Sequence, residues 1–141
     1  MSNGFELDHR LANDCEFLYD LALSRVLMMN DSNYPWFILV PRIDGVFELT
    51  DLSTCQQQRL LIESNLLSQF IQTTFKAEKL NVAALGNVVK QLHIHHIGRF
   101  ESDIAWPKPV WNQHPAKPYA ADQKNMIKQQ LITFIQSRSE I

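Results

Sequence analysis

The sequence predicts an α+β fold: an antiparallel sheet of about five strands, a long central helix and a C-terminal helix. Three observations carry that expectation. Short apolar runs come first, then a helical repeat, then further extended segments, then a second amphipathic helix, an order that favours a segregated antiparallel sheet over alternating βαβ units. The run Trp36–Val40 is continuously apolar, too short for a helix and closed by Pro41, as a strand buried on both faces would be. The chain has 141 residues, 45% of them hydrophobic, enough for one sizeable core and too few to divide comfortably in two. We therefore expect a single unit over 1–141, with its core over 5–119 and the last helix over 121–137.

The elements follow in order. Polar, unbranched residues from Asp8 to Asp14, with Asp8 as a cap, predict a short helix. Phe17–Leu21 and Ser24–Met29 read as two short strands, although their composition also fits a helix. Asn30-Asp31-Ser32-Asn33 is a loop or turn that Pro35 closes. The central helix starts at an Asp51 or Ser53 cap and ends at Phe75; Leu60, Leu61, Leu67, Phe70, Ile71 and Phe75 form its apolar face, and Gln56, Gln57, Arg59, Glu63 and Gln69 the other. Leu80–Leu85 is expected as a strand, Gly86-Asn87 as a turn or bulge, and Val88–Phe100 as a longer strand. Asp103–Tyr119 is irregular and holds four of the six prolines and two of the three tryptophans. Met126, Ile127, Leu131 and Ile135 mark the stripe of the final helix.

Composition excludes several functions. Thirteen Lys and Arg balance fifteen Asp and Glu without a basic cluster, which argues against nucleic acid as the main partner. None of the four glycines forms GxGxxG or GxxxxGK[ST], so neither usual phosphate cradle is present. Cys15 and Cys55 form no CxxC and read as two reduced, half-buried thiols of a cytosolic protein. No apolar run has the length of a membrane span or a signal peptide, so no membrane partner is expected.

Three of the five histidines fall in Gln91-Leu92-His93-Ile94-His95-His96-Ile97. On a strand, alternate side chains share a face, which groups Gln91, His93, His95 and Arg99 on one side and Leu92, Ile94 and His96 on the other. Two neighbouring imidazoles can divide catalytic work, one as nucleophile or base and one as donor to a developing anion. They are equally two histidines on a solvated face. Chelation of a metal is another reading; it needs a third ligand from His9, His114 or Asp103, none at a diagnostic spacing, and we expect neither a metal nor another cofactor. His96, among apolar neighbours, is expected to be a core histidine with a satisfied hydrogen bond.

The segments Asn81–Asn87 and Gln91–Arg99, together with Pro35–Arg42 and Asp103–Trp111, resemble the histidine-triad (HIT) superfamily, whose motif is HφHφHφφ with φ apolar. The four match in order over about Phe5 to Tyr119 and resemble the bacterial branch described as diadenosine-tetraphosphate-hydrolase-like. The resemblance implies a HIT-like fold, a homodimer, and a nucleotide phosphohydrolase or nucleotidyl transferase acting on a nucleotide or dinucleoside polyphosphate. Its middle histidine attacks the α-phosphate, and a covalent nucleotidyl-histidine is then hydrolysed. In register that histidine is His93 and the third is His95. Asn87 and Asn81 match positions near the phosphates, and Asn30 or Asp31 a polar contact to the ribose. Asn87 is otherwise a bulge residue, and Asn30 and Asp31 turn residues. Arg99, by alternation, is placed to reach a distal phosphate or to stand in solvent. Trp106 and Trp111 fold over the site or a partner subunit, or cap the core.

The departures are Gln91 at the first triad position, which cannot deliver a proton, Trp36 where many members carry a further histidine, and His96 at an apolar position. Conjugates with good leaving groups would suffer least. A catalytically weakened nucleotide-binding protein is the alternative, and a metal-dependent hydrolase a more distant one.

Overall fold

The computed structural model describes residues 4–138. Helix α1 (His9–Asp14) starts at Asp8, whose carboxylate accepts from the Arg10 amide. Then follow β1 (Cys15–Asp20), β2 (Ser24–Met29), β3 (Trp36–Pro41), α2 (Thr54–Phe75), β4 (Lys79–Ala83), β5 (Ile94–Arg99) and α3 (Ala121–Gln136). The five strands form one sheet in the order β1-β2-β3-β5-β4, antiparallel at every pairing. The α+β expectation holds, and β3 is buried along its whole length.

Each face of the sheet carries its own apolar layer. Val26, Met28, Phe37, Leu39 and Ile94 pack with Leu60, Leu67, Phe70 and Ile71 of α2 and Ile127, Leu131 and Ile135 of α3. On the opposite face Leu27, Trp36, Ile38, Val40 and Ile97 pack with Leu11 and with Ala105 and Val110 of the irregular segment. α2 presses closely on the sheet at Gly98, where a Cβ would stand 2.8 Å from Ile71 Cγ2. Its start is a reciprocal cap: Ser53 Oγ accepts from the Gln56 amide at 3.2 Å, and Gln56 Oε1 from the Ser53 amide at 2.8 Å.

Several expectations need correction. Leu61 is 62% exposed, whereas Glu63, expected in solvent, is 1% exposed. The reason is helical geometry: positions 60, 63, 67, 70 and 71 keep the three-and-four spacing of one face, and Leu61 stands beside it. Glu63 is satisfied there, accepting from the amides of Leu23 at 2.8 Å and Ser24 at 2.9 Å, which closes the β1–β2 turn onto α2. Glu63→Ala orphans both amides and is expected to cost about 2–4 kcal/mol, measured by urea unfolding. Met126 is likewise exposed, beside the stripe of Ile127, Leu131 and Ile135, and Cys55, expected half-buried as Cys15 is, stands exposed in the first turn of α2.

The largest departure concerns the histidine strand, which begins at Ile94 and not at Val88. Leu39 faces Ile94 across β3 and β5, so Leu92 would face Pro41, which has no amide to donate. The Leu92 amide instead donates to the Val46 carbonyl. β4 also stops early, at Ala83. The 84–93 stretch is thereby released from the sheet, and it curls around His93.

Candidate active site

His93 stands just before β5 and His95 on it, both directed to the face that carries Trp36 and Ile38. Their ring centroids are 4.8 Å apart. His93 Nδ1 lies 2.7 Å from the Gln91 carbonyl oxygen. A carbonyl only accepts, so the Nδ1 proton is committed to it and the lone pair resides on Nε2. Gly86 lies against the same ring: a Cβ there would be 3.3 Å from His93 Cε1 and 2.5 Å from the Val89 carbonyl oxygen. Only a glycine lets the 84–90 segment close so tightly on His93. The cleft beside it, about 410 Å³, is lined by Phe47, Glu48, Gly86, Asn87, Lys90 and His93, among others.

His95 sits deeper, with Trp36 and Trp111 beside it. Trp36 Nε1 donates to His95 Nδ1 at 3.0 Å, and His95 Nε2 is 3.3 Å from the Leu85 carbonyl oxygen. The Trp111 ring meets His95 edge-on at 5.1 Å and Trp36 at 5.8 Å. Burial, reinforced by the neighbouring His93, lowers the His95 pKa to about 4. His96 points to the other face, is 0% exposed, and is satisfied by Ser64 Oγ at 2.7 Å and the Ile94 carbonyl at 3.1 Å. Burial lowers its pKa to about 4 as well.

These two histidines give the fold a pH dependence. Both bind protons more weakly folded than unfolded, so their contribution is complete above pH 6.5 and is lost as pH falls toward 4. Unfolding free energy is expected to fall over that window by up to about 1.4 kcal/mol per pH unit for each histidine. Urea titrations at stepped pH measure the slope, and a flat profile between pH 6.5 and 5 contradicts it.

The remaining expected residues divide. Asn87 lines the His93 cleft. Gln91 also lines it, but its amide is occupied by the N-terminal segment: Oε1 accepts from the Asp8 amide, and Nε2 donates to the Glu6 carbonyl, both at 2.9 Å. The expected alternation of Gln91 with His93 along a strand does not apply, because both precede β5. Asn30 and Asp31 line a second cleft of about 390 Å³ with Trp36, Trp111 and His114. Asn30 Oδ1 accepts from the Tyr119 amide, and Asp31 Oδ1 from those of Asn33 and Lys117.

Arg99 corrects the phosphate expectation. It is 1% exposed, held by both Asp103 oxygens at 2.8 and 3.1 Å and by Asn81 Oδ1 at 2.8 Å, with Tyr34 and Trp106 against its guanidinium. Three of its five N–H donors are committed to these oxygens, and its burial keeps the guanidinium out of both clefts. Asn81 is accordingly an acceptor for Arg99. Asp103 also accepts from the amides of Phe100, Ala105 and Trp106, so the network anchors the segment that delivers Trp111 to His95. Among the described residues no group of three or more His, Cys, Asp or Glu could hold a metal ion, and His9, His114 and Asp103 are not gathered at His93 and His95.

Lys90 and Glu48 are cleft residues that the sequence reading passed over. The proximity of Lys90 to His93 in sequence was the available signal for one. Nothing local pointed to Glu48, which a chain excursion of more than forty residues brings to the cleft.

An antiparallel sheet carrying two adjacent imidazoles, one lining a cleft and the other buried beside it, defines the class of site. The HIT domain family model matches residues 10–102, and the chain belongs to that family. Among solved structures it is similar to a histidine triad protein from Marinobacter aquaeolei, with 47% identity, 94% of this chain and 97% of that one covered, and a TM-score of 0.91. A histidine triad protein from Bradyrhizobium japonicum is 40% identical over 93% of this chain and 98% of its own, also with a TM-score of 0.91. A Plasmodium falciparum diadenosine triphosphate hydrolase shares the fold at 18% identity, with 95% and 82% covered and a TM-score of 0.60. No curated protein matches. Among the described residues no helix is long and apolar enough to cross a membrane.

Proposed function

We propose that the protein is a nucleotide phosphohydrolase or nucleotidyl transferase that acts at the α-phosphate of a nucleotide conjugate through a covalent nucleotidyl-His93. The observation that carries this reading is the His93 tautomer, with Nδ1 tied to the Gln91 carbonyl and the Nε2 lone pair left free. In the first step Nε2 bonds to phosphorus, and the bond to the leaving group breaks with its electron pair on the leaving atom. In the second, water attacks phosphorus and gives up a proton to solvent, the P–N bond breaks with its electron pair returning to Nε2, and the nucleoside monophosphate departs. Asn87, Lys90 and the Nε2–H of His95 supply donors for the phosphoryl charge, since such transfer is mainly positioning and charge stabilisation. Asn30 and Asp31, in the cleft on the Trp36 side, offer the ribose contact.

The kinship of fold with a diadenosine triphosphate hydrolase supports dinucleoside polyphosphates as substrates, in keeping with the diadenosine-tetraphosphate-hydrolase-like branch. A homodimer in the cytoplasm completes the reading. Its support is the open edge of the sheet at β4, where Val82 lines one apolar groove with Leu49 and Leu61; Phe47, Leu85 and Val88 (74% exposed) are uncovered as well. The test is to mix the protein with a panel of dinucleoside polyphosphates and nucleoside phosphoramidates, quench in alkali and search by mass spectrometry. A nucleotidyl group on the peptide containing His93 is expected. Release of monophosphate without such an adduct, or no release from any member, rejects the mechanism.

A nucleotide-binding protein without turnover is the second reading. The Gln91 amide, bound to Glu6 and Asp8, favours it, because no proton donor stands at the first triad position. Micromolar binding of AMP without turnover distinguishes it.

A further inference from the structure

We propose that Trp36 is a positioning residue that holds His95 as a neutral imidazole with its proton on Nε2, so that His95 donates a hydrogen bond to the phosphoryl group and never acts as an acid. The consequence is a substrate class, conjugates whose leaving group departs without a proton, and this part rests on the reaction proposed above. The indole N–H of Trp36 can only donate, and at 3.0 Å it points at His95 Nδ1. Nδ1 must then be the acceptor, which places the single proton of the neutral ring on Nε2. Protonating Nδ1 would set two N–H groups against each other in a site where the indole cannot turn away. Trp36 is 6% exposed and packs edge-on against both Tyr34 and Trp111.

The other neighbours act the same way. His93 lies beside His95 before the strand, and His96 lies on the opposite face; both disfavour a positive charge on it. The elements packed around the ring contribute Trp36 and Ile38 from β3, Ala83 from β4, the Leu85 carbonyl and Trp111, all uncharged. The Nε2–H has only the long 3.3 Å contact to the Leu85 carbonyl, and a phosphate oxygen beside that carbonyl can share or replace it. Losing that proton would leave an imidazolate, which neutral water does not support.

The chemistry follows. His93 Nε2 bonds to phosphorus, and the leaving oxygen takes the bonding pair as an anion, with no proton transferred. A condensed phosphate, an acyl phosphate or a nitrophenolate leaves in this way. An alkoxide or an amide anion does not.

The experiment is a long-range ¹H–¹⁵N spectrum of the histidine rings from pH 5.5 to 8.5, for wild type, Trp36→Phe and Trp36→His. Wild-type His95 is expected to show a bare Nδ1 and a protonated Nε2 across the whole range. Trp36→Phe is expected to mix the tautomers or to raise the midpoint toward 6.5. A wild-type His95 protonated on Nδ1, or titrating near 6.5, overturns the proposal, and the wild-type spectrum decides this even if a variant misfolds. A Trp36→Phe spectrum identical to wild type also overturns it.

In a kinetic arm, wild type is expected to cleave adenosine 5′-(p-nitrophenyl phosphate) at least about 100-fold faster than adenosine 5′-(ethyl phosphate), the factor that general acid assistance ordinarily supplies. Equal rates overturn the substrate class. Turnover of no conjugate, with His95 still locked, rejects the reaction and leaves the lock standing.

Discussion

His93→Ala is expected to lower release of nucleoside monophosphate by at least about three orders of magnitude while leaving nucleotide affinity within a few-fold. The nucleophile is the one group in the cleft that forms a bond, so its loss falls on kcat and not on binding. Asn87, Lys90 and the Asn30–Asp31 cleft are untouched by the change. The Nδ1 bond to the Gln91 carbonyl is local, and removing the ring frees one backbone acceptor that the cleft can hydrate. Single-turnover kinetics on a dinucleoside polyphosphate, with binding measured separately by calorimetry, check both halves. A variant retaining a tenth of the wild-type rate would place the reaction elsewhere.

Arg99→Ala is expected to have the largest effect on stability, about 3–5 kcal/mol, because it strips a buried carboxylate of its partner. Asp103 would keep the amides of Phe100, Ala105 and Trp106 and lose both guanidinium bonds. In the intact protein burial pushes the Asp103 carboxyl up, but the Arg99 bonds and the backbone amides outweigh it and hold the pKa below its ordinary value. Its contribution is therefore present above pH 3.8 and lost as pH falls through the lower native value. The double variant Arg99→Met with Asp103→Leu removes both charges and is expected to recover part of the loss. Urea unfolding of the three proteins at pH 7 measures this. The effect reaches the site as well, since the 103–111 segment would no longer hold Trp111 against His95.

The fold is most legible in the sequence where one physical rule acts alone. An apolar run ended by Pro41 is a buried strand, as expected, and of the two caps offered for α2, Asp51 and Ser53, Ser53 is the one used. A polar residue at an apolar position hides its burial, as Glu63 does, because residue type speaks for solvent while helical spacing places it inside. A distant partner is hidden in the same way: Asp103 lies four residues from Arg99, but nothing near Arg99 shows that Asn81 of β4 will close around it too. Alternation put His93 and His95 on one side, and they are neighbours although His93 stands just before β5, but their tautomers were not legible. Those depend on the Gln91 carbonyl turning inward once the chain leaves the sheet, and on Trp36 lying one strand away.

The tryptophans beside His95 also make the site optically self-reporting. Two of the three indoles in the chain, Trp36 and Trp111, line the cleft that holds Asn30 and Asp31, and one is hydrogen-bonded to an imidazole. The third, Trp106, is stacked on Arg99. Intrinsic emission from this protein is thus weighted toward the cleft, and a base stacking there, or a proton arriving on His95, changes the emission without any attached dye.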